Sequence, residues 1–492
     1  MGMVLVGCAG DDGGRGDSSA TQASATDASA SASASGSAGE SEGSTSGGSA
    51  SGASDSASAG TSAGTSASTS AGTSEGTSEG TSASSGDATS SSGGPVTSGD
   101  TTDPTDGSTG GDACMGTEGV FDFSYLWVAN TDQGSISKVN TLTLVEEARY
   151  YSDPAQSGAA DPSRTSVNID GHYVVVSNRG AGTVTKVAAS AMDCVDKNQN
   201  GQIDTSPNKD TLLPYAEEEC ILWTTKVNSP FSVGAGPRAT AWAPGTFNEA
   251  TCKYENQKVW VGYLTAPGQA EIARLNGDTG EIEATIPLPN WPVVIDGANG
   301  YAPYGAAADA DGYIWTTGVF TNVAYRIHPE TLEVKRWDSP LGDSHYGMTV
   351  DSQGRAWFAN WTAGVGATVF DPKTETWAAV PGSEGILGRG IAADTMGNVW
   401  VATNNGGAFG CGMLQVDGNA LTTITHHTFD MCGTPLGTSI DIEGKVWMVD
   451  YSGWAYQVDP QTYEKKVVPI ANVHYTYSDM TGGGLQGAVM PG

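Results

Sequence analysis

Asp196, Asn198, Asn200 and Asp204 carry acid or amide oxygens along one short run, Asp196-Lys197-Asn198-Gln199-Asn200-Gly201-Gln202-Ile203-Asp204. Oxygens at alternate positions, a glycine at the sharp turn and an inward-facing isoleucine match the opening of a calcium-binding loop. A complete loop of that type has a bidentate glutamate at its twelfth position, and here that position is Pro207. Asp210 or the acidic run Glu217-Glu218-Glu219 could supply the missing ligand. The expected cofactor is Ca2+ in a structural role; the same residues also suit a solvated turn rich in Asp and Asn.

The second group of residues is visible only once the chain is read for repeats. A small turn, an alternating strand, Asp-x-x-Gly and a tryptophan-centred strand recur at Pro303-Tyr304-Gly305 to Trp315 and at His345-Tyr346-Gly347 to Trp357. They recur again at Gly388-Arg389-Gly390 to Trp400 and Pro435-Leu436-Gly437 to Trp447. These tryptophans stand 42, 43 and 47 residues apart, the length of a four-stranded propeller blade. Asp371-Pro372 and Asp459-Pro460 mark the corner between the third and fourth strands of later copies. Earlier copies contain Ser163-Arg164-Thr165 and Pro237-Arg238-Ala239. The first begins at its second strand, Tyr125 to Asn130, and Val473 to Thr476 supplies the missing inner strand from the other end. The expected fold is all-β, a seven-bladed β-propeller spanning 114–492, with the insertion at 193–220 between blades two and three. The repeated tryptophans should pack between blades.

The residue opening each inner strand should point to the channel mouth. In blade order these are Tyr475, Arg164, Arg238, Tyr304, Tyr346, Arg389 and Leu436. A guanidinium fork suits carboxylate or phosphate, and tyrosine adds a flat face with a hydroxyl. Three arginines and three tyrosines in one ring predict a pocket for a small anionic or carboxylated ligand. Alternatively, the arginines pair with the inner-strand aspartates Asp309, Asp351, Asp394 and Asp441. His345 and His474 lie one residue ahead of the ring and are candidate ligands or polar strand ends. His426 and His427 fall on an outer strand, expected to face solvent.

Composition sets the frame around these sites. The chain has 492 residues and a formal net charge of -33. Residues 9–113 contain none of the 39 aromatic residues and are dominated by Ser, Ala, Gly and Thr, so that stretch is expected to be a disordered linker. Fourteen of the 55 acids and one of the 22 bases fall there, leaving 41 acids and 21 bases for the folded part. Such a balance repels nucleic acid and anionic membrane surfaces.

Leu5-Val6-Gly7-Cys8 resembles a bacterial lipobox within a truncated signal, residues 1–8, with Cys8 as the lipidated residue. The linker would then be a tether reaching roughly 55–60 Å, membrane contact would be through the lipid alone, and the domain would sit in the cell envelope, at the outer membrane or cell surface. Six further cysteines suit an oxidising compartment. The economical pairing is Cys411 with Cys432, Cys194 with Cys220 and Cys114 with Cys252.

The blades resemble those of the virginiamycin B (streptogramin) lyase family and, more loosely, NHL-type propellers. The resemblance rests on Pro303-Tyr304-Gly305 with Asp309 to Trp315, and on Tyr346-Gly347 through Trp357-Phe358-Ala359-Asn360. It implies seven blades and a central site, with family activity built on a Pro-His-Gly histidine, a glutamate three residues past the tryptophan, and magnesium. Here the histidine position holds Tyr346, Arg389, Leu436 and Tyr475. The glutamate position holds Asn130, Gly318, Asn360, Thr403 and Asp450, of which only Asp450 is acidic. The reading is therefore a tethered, non-catalytic binding lipoprotein whose partner is a small anionic molecule, a cell-envelope glycan or a protein. The alternative is a divergent lyase or hydrolase using a divalent metal.

Overall fold

The computed structural model describes residues 124–293, 300–362, 364–470 and 473–489. Cys8, the linker at 9–113 and Cys114 lie outside the described residues. Seven antiparallel sheets follow one another as blades. Six have four strands, with inner strands at Pro162–Val167, Thr240–Ala243, Pro303–Ala308, His345–Val350, Gly388–Ala393 and Pro435–Ile440. The first has three, Tyr125–Asn130, Ser135–Asn140 and Glu146–Tyr151. Its inner edge is completed by the carboxy-terminal segment. Asn130 bridges His474, Thr131 N–H bonds Val473 O at 2.9 Å, and Trp127 N–H bonds Met480 O at 3.0 Å. The ring thus closes without leaving that edge unpaired.

Each later blade is pinned by one carboxylate. Asp309, Asp351, Asp394 and Asp441 stand at the head of the Asp-x-x-Gly turns, and one oxygen of each accepts two backbone N–H groups of its turn. The other accepts the indole N–H of Trp315, Trp357, Trp400 or Trp447, six residues on, at 2.8–3.0 Å. The carboxylate lets a large apolar ring enter the core with its one polar atom satisfied, and all four indoles are completely buried. The tryptophans are core, as expected.

Neighbouring blades are joined where a third-strand side chain reaches the next turn. Lys138 Nζ donates to Ala189 O at 2.6 Å, Lys186 Nζ to Gly277 O at 2.8 Å, Arg274 to Pro329 O at 2.7 Å and Gln457 to Thr141 O at 3.1 Å. The last of these spans the closure from blade seven to blade one.

Two expectations are corrected. The 193–220 excursion lies within blade two, between its third strand Thr183–Ala188 and its outer strand Ile221–Lys226, rather than after the blade. His427 is buried instead of solvent-facing, because Trp400 and Tyr463 lie 5.3 and 4.8 Å from its ring. That burial pushes its imidazole down to about 4. The disulfides Cys194–Cys220 and Cys411–Cys432 are formed as expected. Cys252 is also disulfide-bonded.

Asp394→Ala should leave the Trp400 indole and two turn amides without their acceptor, at a cost of about 3 kcal/mol. Asp394→Asn keeps an oxygen for the amides and should cost about half as much. Urea unfolding measures both; an alanine variant as stable as the parent would show that this carboxylate does not hold the blade.

Candidate functional site

The ring residues reach the axis because the inner strands bulge. Pairing with the second strand passes from Pro303 to Gly305, from His345 to Met348, from Gly388 to Ile391 and from Pro435 to Thr438. Tyr304, Tyr346, Arg389 and Leu436 fall in these gaps, and a bulge re-aims the side chain it carries. The glycine that follows is required by space. A Cβ on Gly347 would lie 2.1 Å from Arg389 O, and one on Gly390 would lie 2.2 Å from Leu436 O. The Tyr-Gly and Arg-Gly pairs of the sequence therefore mark places where inner strands touch backbone to backbone.

All six proposed binding residues converge there: Arg164, Arg238, Tyr304, Tyr346, Arg389 and Tyr475, each at most 3% exposed. Tyr477, which the sequence reading missed, joins them. It alternates with Tyr475 along the closing segment, so strand period could have found it. The hydroxyls of Tyr304, Tyr346 and Tyr475 bond one another, and Tyr477 donates to Tyr346 at 3.2 Å. Arg389 donates to the hydroxyls of Tyr346 and Tyr477 at 3.5 and 3.4 Å. The Arg164 guanidinium lies 4.2 Å from the Tyr477 ring and 4.4 Å from that of Tyr304. Arg238 lies 5.0 Å from Tyr304, and Arg389 4.5 Å from Trp361. Pairing of these arginines with Asp309, Asp351, Asp394 and Asp441 is overturned, since those carboxylates hold the tryptophans and turns.

Around this plug the mouth carries partly exposed Tyr301, Phe320, Trp361 and Tyr451. Arg179 lies 4.2 Å over Tyr475 and is held by both oxygens of Asp161 at 2.6 and 3.1 Å. Arg179, Trp361 and Tyr451 each stand one residue beyond a second strand. That register was legible, but composition gave no reason to favour it. At the opposite end the helix Gly483–Val489 packs against inner strands of blades four to seven.

His345 and His474 are both buried and hydrogen-bonded within the propeller. His345 Nδ1 bonds Thr317 Oγ1 at 2.8 Å and Nε2 bonds Asp343 at 3.0 Å, while its ring stacks on Phe358 at 4.1 Å. Burial raises the Asp343 carboxyl, but bonds from His345, Ser339 and Thr368 outweigh it and hold the group below the usual range. His474 Nδ1 meets Asp450 O at 3.1 Å. The Asp450 carboxylate accepts the backbone N–H groups of Gly433, Thr434 and Ser452. Cys411 and Cys432 lie beside Asp450, but their sulfurs are bonded to each other and offer no thiolate.

In the insertion the four expected metal ligands come together. Asp196 accepts the N–H groups of Asn200 and Gly201, and the amides of Asn198 and Asn200 both reach Asp204 Oδ2, at 2.7 and 2.9 Å. Glu219, almost fully buried, accepts the N–H groups of Lys197, Asn198 and Asp204. Glu218 holds Ser206, and Asp210 turns away to Lys209. The donor set fits a hard cation: an exposed loop rich in carboxylate and amide oxygens, with Glu219 fixing its base.

No family model matches the chain, and no curated protein matches it. Among solved structures the chain is similar to virginiamycin B lyase from Staphylococcus aureus, at 14% identity over 63% of this chain and 85% of that one, TM-score 0.42. It is similar to AztD from Citrobacter koseri, at 11% identity over 72% and 97%, TM-score 0.45. A functionally unknown protein from Desulfotomaculum acetoxidans gives 14% over 71% and 96%, TM-score 0.47.

Burial pushes the Tyr477 phenol up to about 12, with Arg389 and Arg164 pulling the other way, and raises Tyr346 well above its ordinary range. An unfolded tyrosine ionises near pH 10. The stabilisation is therefore complete below pH 10 and is lost as pH rises towards 12, by at most about 1.4 kcal/mol per pH unit for each such group. Melting temperature against pH should fall steeply above 10, and less steeply in Tyr477→Phe. Ultraviolet titration showing every tyrosine of the folded protein ionising near pH 10 would contradict the plug.

Proposed function

We propose that this chain is a non-catalytic binding propeller, tethered to the bacterial cell envelope through a lipid on Cys8, that takes a small anionic or carboxylated ligand at its channel mouth. The observation carrying this reading is the convergence of three guanidiniums and four tyrosines at one end of the channel, beneath the partly exposed Tyr301 and Trp361. Aromatic faces orient a flat or carboxylated ligand, and fixed cations draw it in. Disulfides within the propeller suit export. The lyase or hydrolase alternative needs a base and a carboxylate converging on the channel. His345 and Asp450 are instead committed to structural hydrogen bonds, so no observation favours it.

Thermal melting of the full chain against carboxylates, sugars and cell-wall fragments tests this reading. A true ligand at one hundred times its Kd adds about 2.7 kcal/mol of stability. The shift should vanish in Arg389→Ala and Trp361→Ala variants that still melt cooperatively. A panel without any shift, or a shift that both variants retain, would overturn the assignment.

The reading includes Ca2+ as a brace for the blade-two insertion, held by Asp196, Asn198, Asn200 and Asp204. Chelation should lower the melting temperature and added Ca2+ restore it, with neither effect in Asp196→Ala. Calorimetric titration of chelator-treated protein without a calcium heat would remove the metal from the account.

A further inference from the structure

Below the tyrosine layer the channel is not filled. A cavity of about 20 Å³ is bounded by Arg164, Tyr304, Tyr346, Tyr477, Thr438 and Ser478. It abuts a second of about 40 Å³, with Thr438 and Ser478 on both walls. Roughly 10–15 Å³ already admits one water-sized group.

Three side-chain atoms on the first wall have no hydrogen-bond partner among the described residues: Arg164 Nη2, Thr438 Oγ1 and Ser478 Oγ. Arg164 is fully buried. Its other nitrogens donate to Ser163 O at 2.8 Å and Tyr304 O at 3.3 Å, and no carboxylate among the described residues meets it. A guanidinium cannot shed its proton, so this charge is permanent. On the same wall, burial raises the phenols of Tyr346 and Tyr477. Asp479 lines the neighbouring cavity. Its oxygens are taken by Ser439 and the N–H groups of Gly482 and Leu485, and burial raises its carboxyl. A cation removed from water without a counter-charge is among the costliest features a core can hold. The ring faces of Tyr304 and Tyr477 offset part of this charge, and water in the cavity would serve the hydroxyls without supplying a counter-charge.

We propose that this chamber holds a small inorganic anion of halide size, bound by Arg164 Nη2 and the hydroxyls of Thr438 and Ser478. The three donors come from blade two, blade seven and the closing carboxy-terminal segment. The anion therefore ties together the elements that meet where the ring shuts, and it locks that closure. The chamber lies beneath the tyrosine layer and, of its three donors, shares only Arg164 with the mouth site; Thr438 and Ser478 belong to the chamber alone.

The test is unfolding of the full chain, refolded in bromide or in gluconate at equal ionic strength, together with anomalous diffraction from crystals grown in bromide. The melting temperature should rise with bromide concentration, and an anomalous peak should lie beside Arg164 Nη2. Thr438→Val should raise the half-saturating bromide concentration by about tenfold, the value of one hydrogen bond to a charge. Arg164→Met should remove the bromide response; if it does not fold, Thr438→Val and the parent's diffraction decide. Equal stability in both salts, or a chamber with water and no anomalous peak, would overturn the proposal. Carboxylate binding at the mouth is read from the ligand panel and Trp361→Ala, so either site can fail alone.

Discussion

A carboxylate that accepts an indole N–H six residues downstream is the constraint from which the later blades are built. It fixes the Asp-x-x-Gly turn through one oxygen and seats the tryptophan between blades through the other. With the tryptophan seated, the inner strands approach until only glycine fits between Gly347 and Arg389 O. The same bond settles the electrostatics of the channel. The inner-strand aspartates are spent on tryptophan, and Arg164 and Arg389 lie against aromatic faces, of Tyr304 and Tyr477 and of Trp361 respectively.

The early blades reach the same geometry differently. Trp127 and Trp260 have no aspartate in register, and their buried indole nitrogens have no hydrogen-bond acceptor among the described residues. Here Lys138, Lys186 and Arg274 tie each blade to the turn of the next. A buried lysine costs desolvation, which lowers Lys186 to about 8, but its ammonium lies 3.7 Å over the Tyr173 ring and bonds a carbonyl. Closure by residues 473–480 completes the first blade and also delivers Tyr475, Tyr477 and Ser478 to the axis. Fold completion and site assembly are therefore one event.

Much of this was legible because a propeller repeats its solution. Tryptophans 42, 43 and 47 residues apart, with Asp-x-x-Gly six residues ahead of each, define blade length, turn and inter-blade core. Cysteine position within one repeat and at the two ends of one excursion indicated both described disulfides. Where the period lapsed, inference from sequence failed. The insertion was assigned after blade two because the strand that follows it, Ile221–Lys226, has no repeat signature. His427 was placed in solvent because alternation along one strand does not reveal that Tyr463 covers it.

The sequence by itself determined the architecture and the ring of arginines and tyrosines, because both follow from local period and register. Only the tertiary structure decided how that ring is used. Whether a guanidinium meets a carboxylate, an aromatic face or a cavity depends on groups more than a hundred residues apart, as with Arg164, Tyr304 and Tyr477. Their separation is set by ring closure, a long-range constraint that neither composition nor spacing encodes.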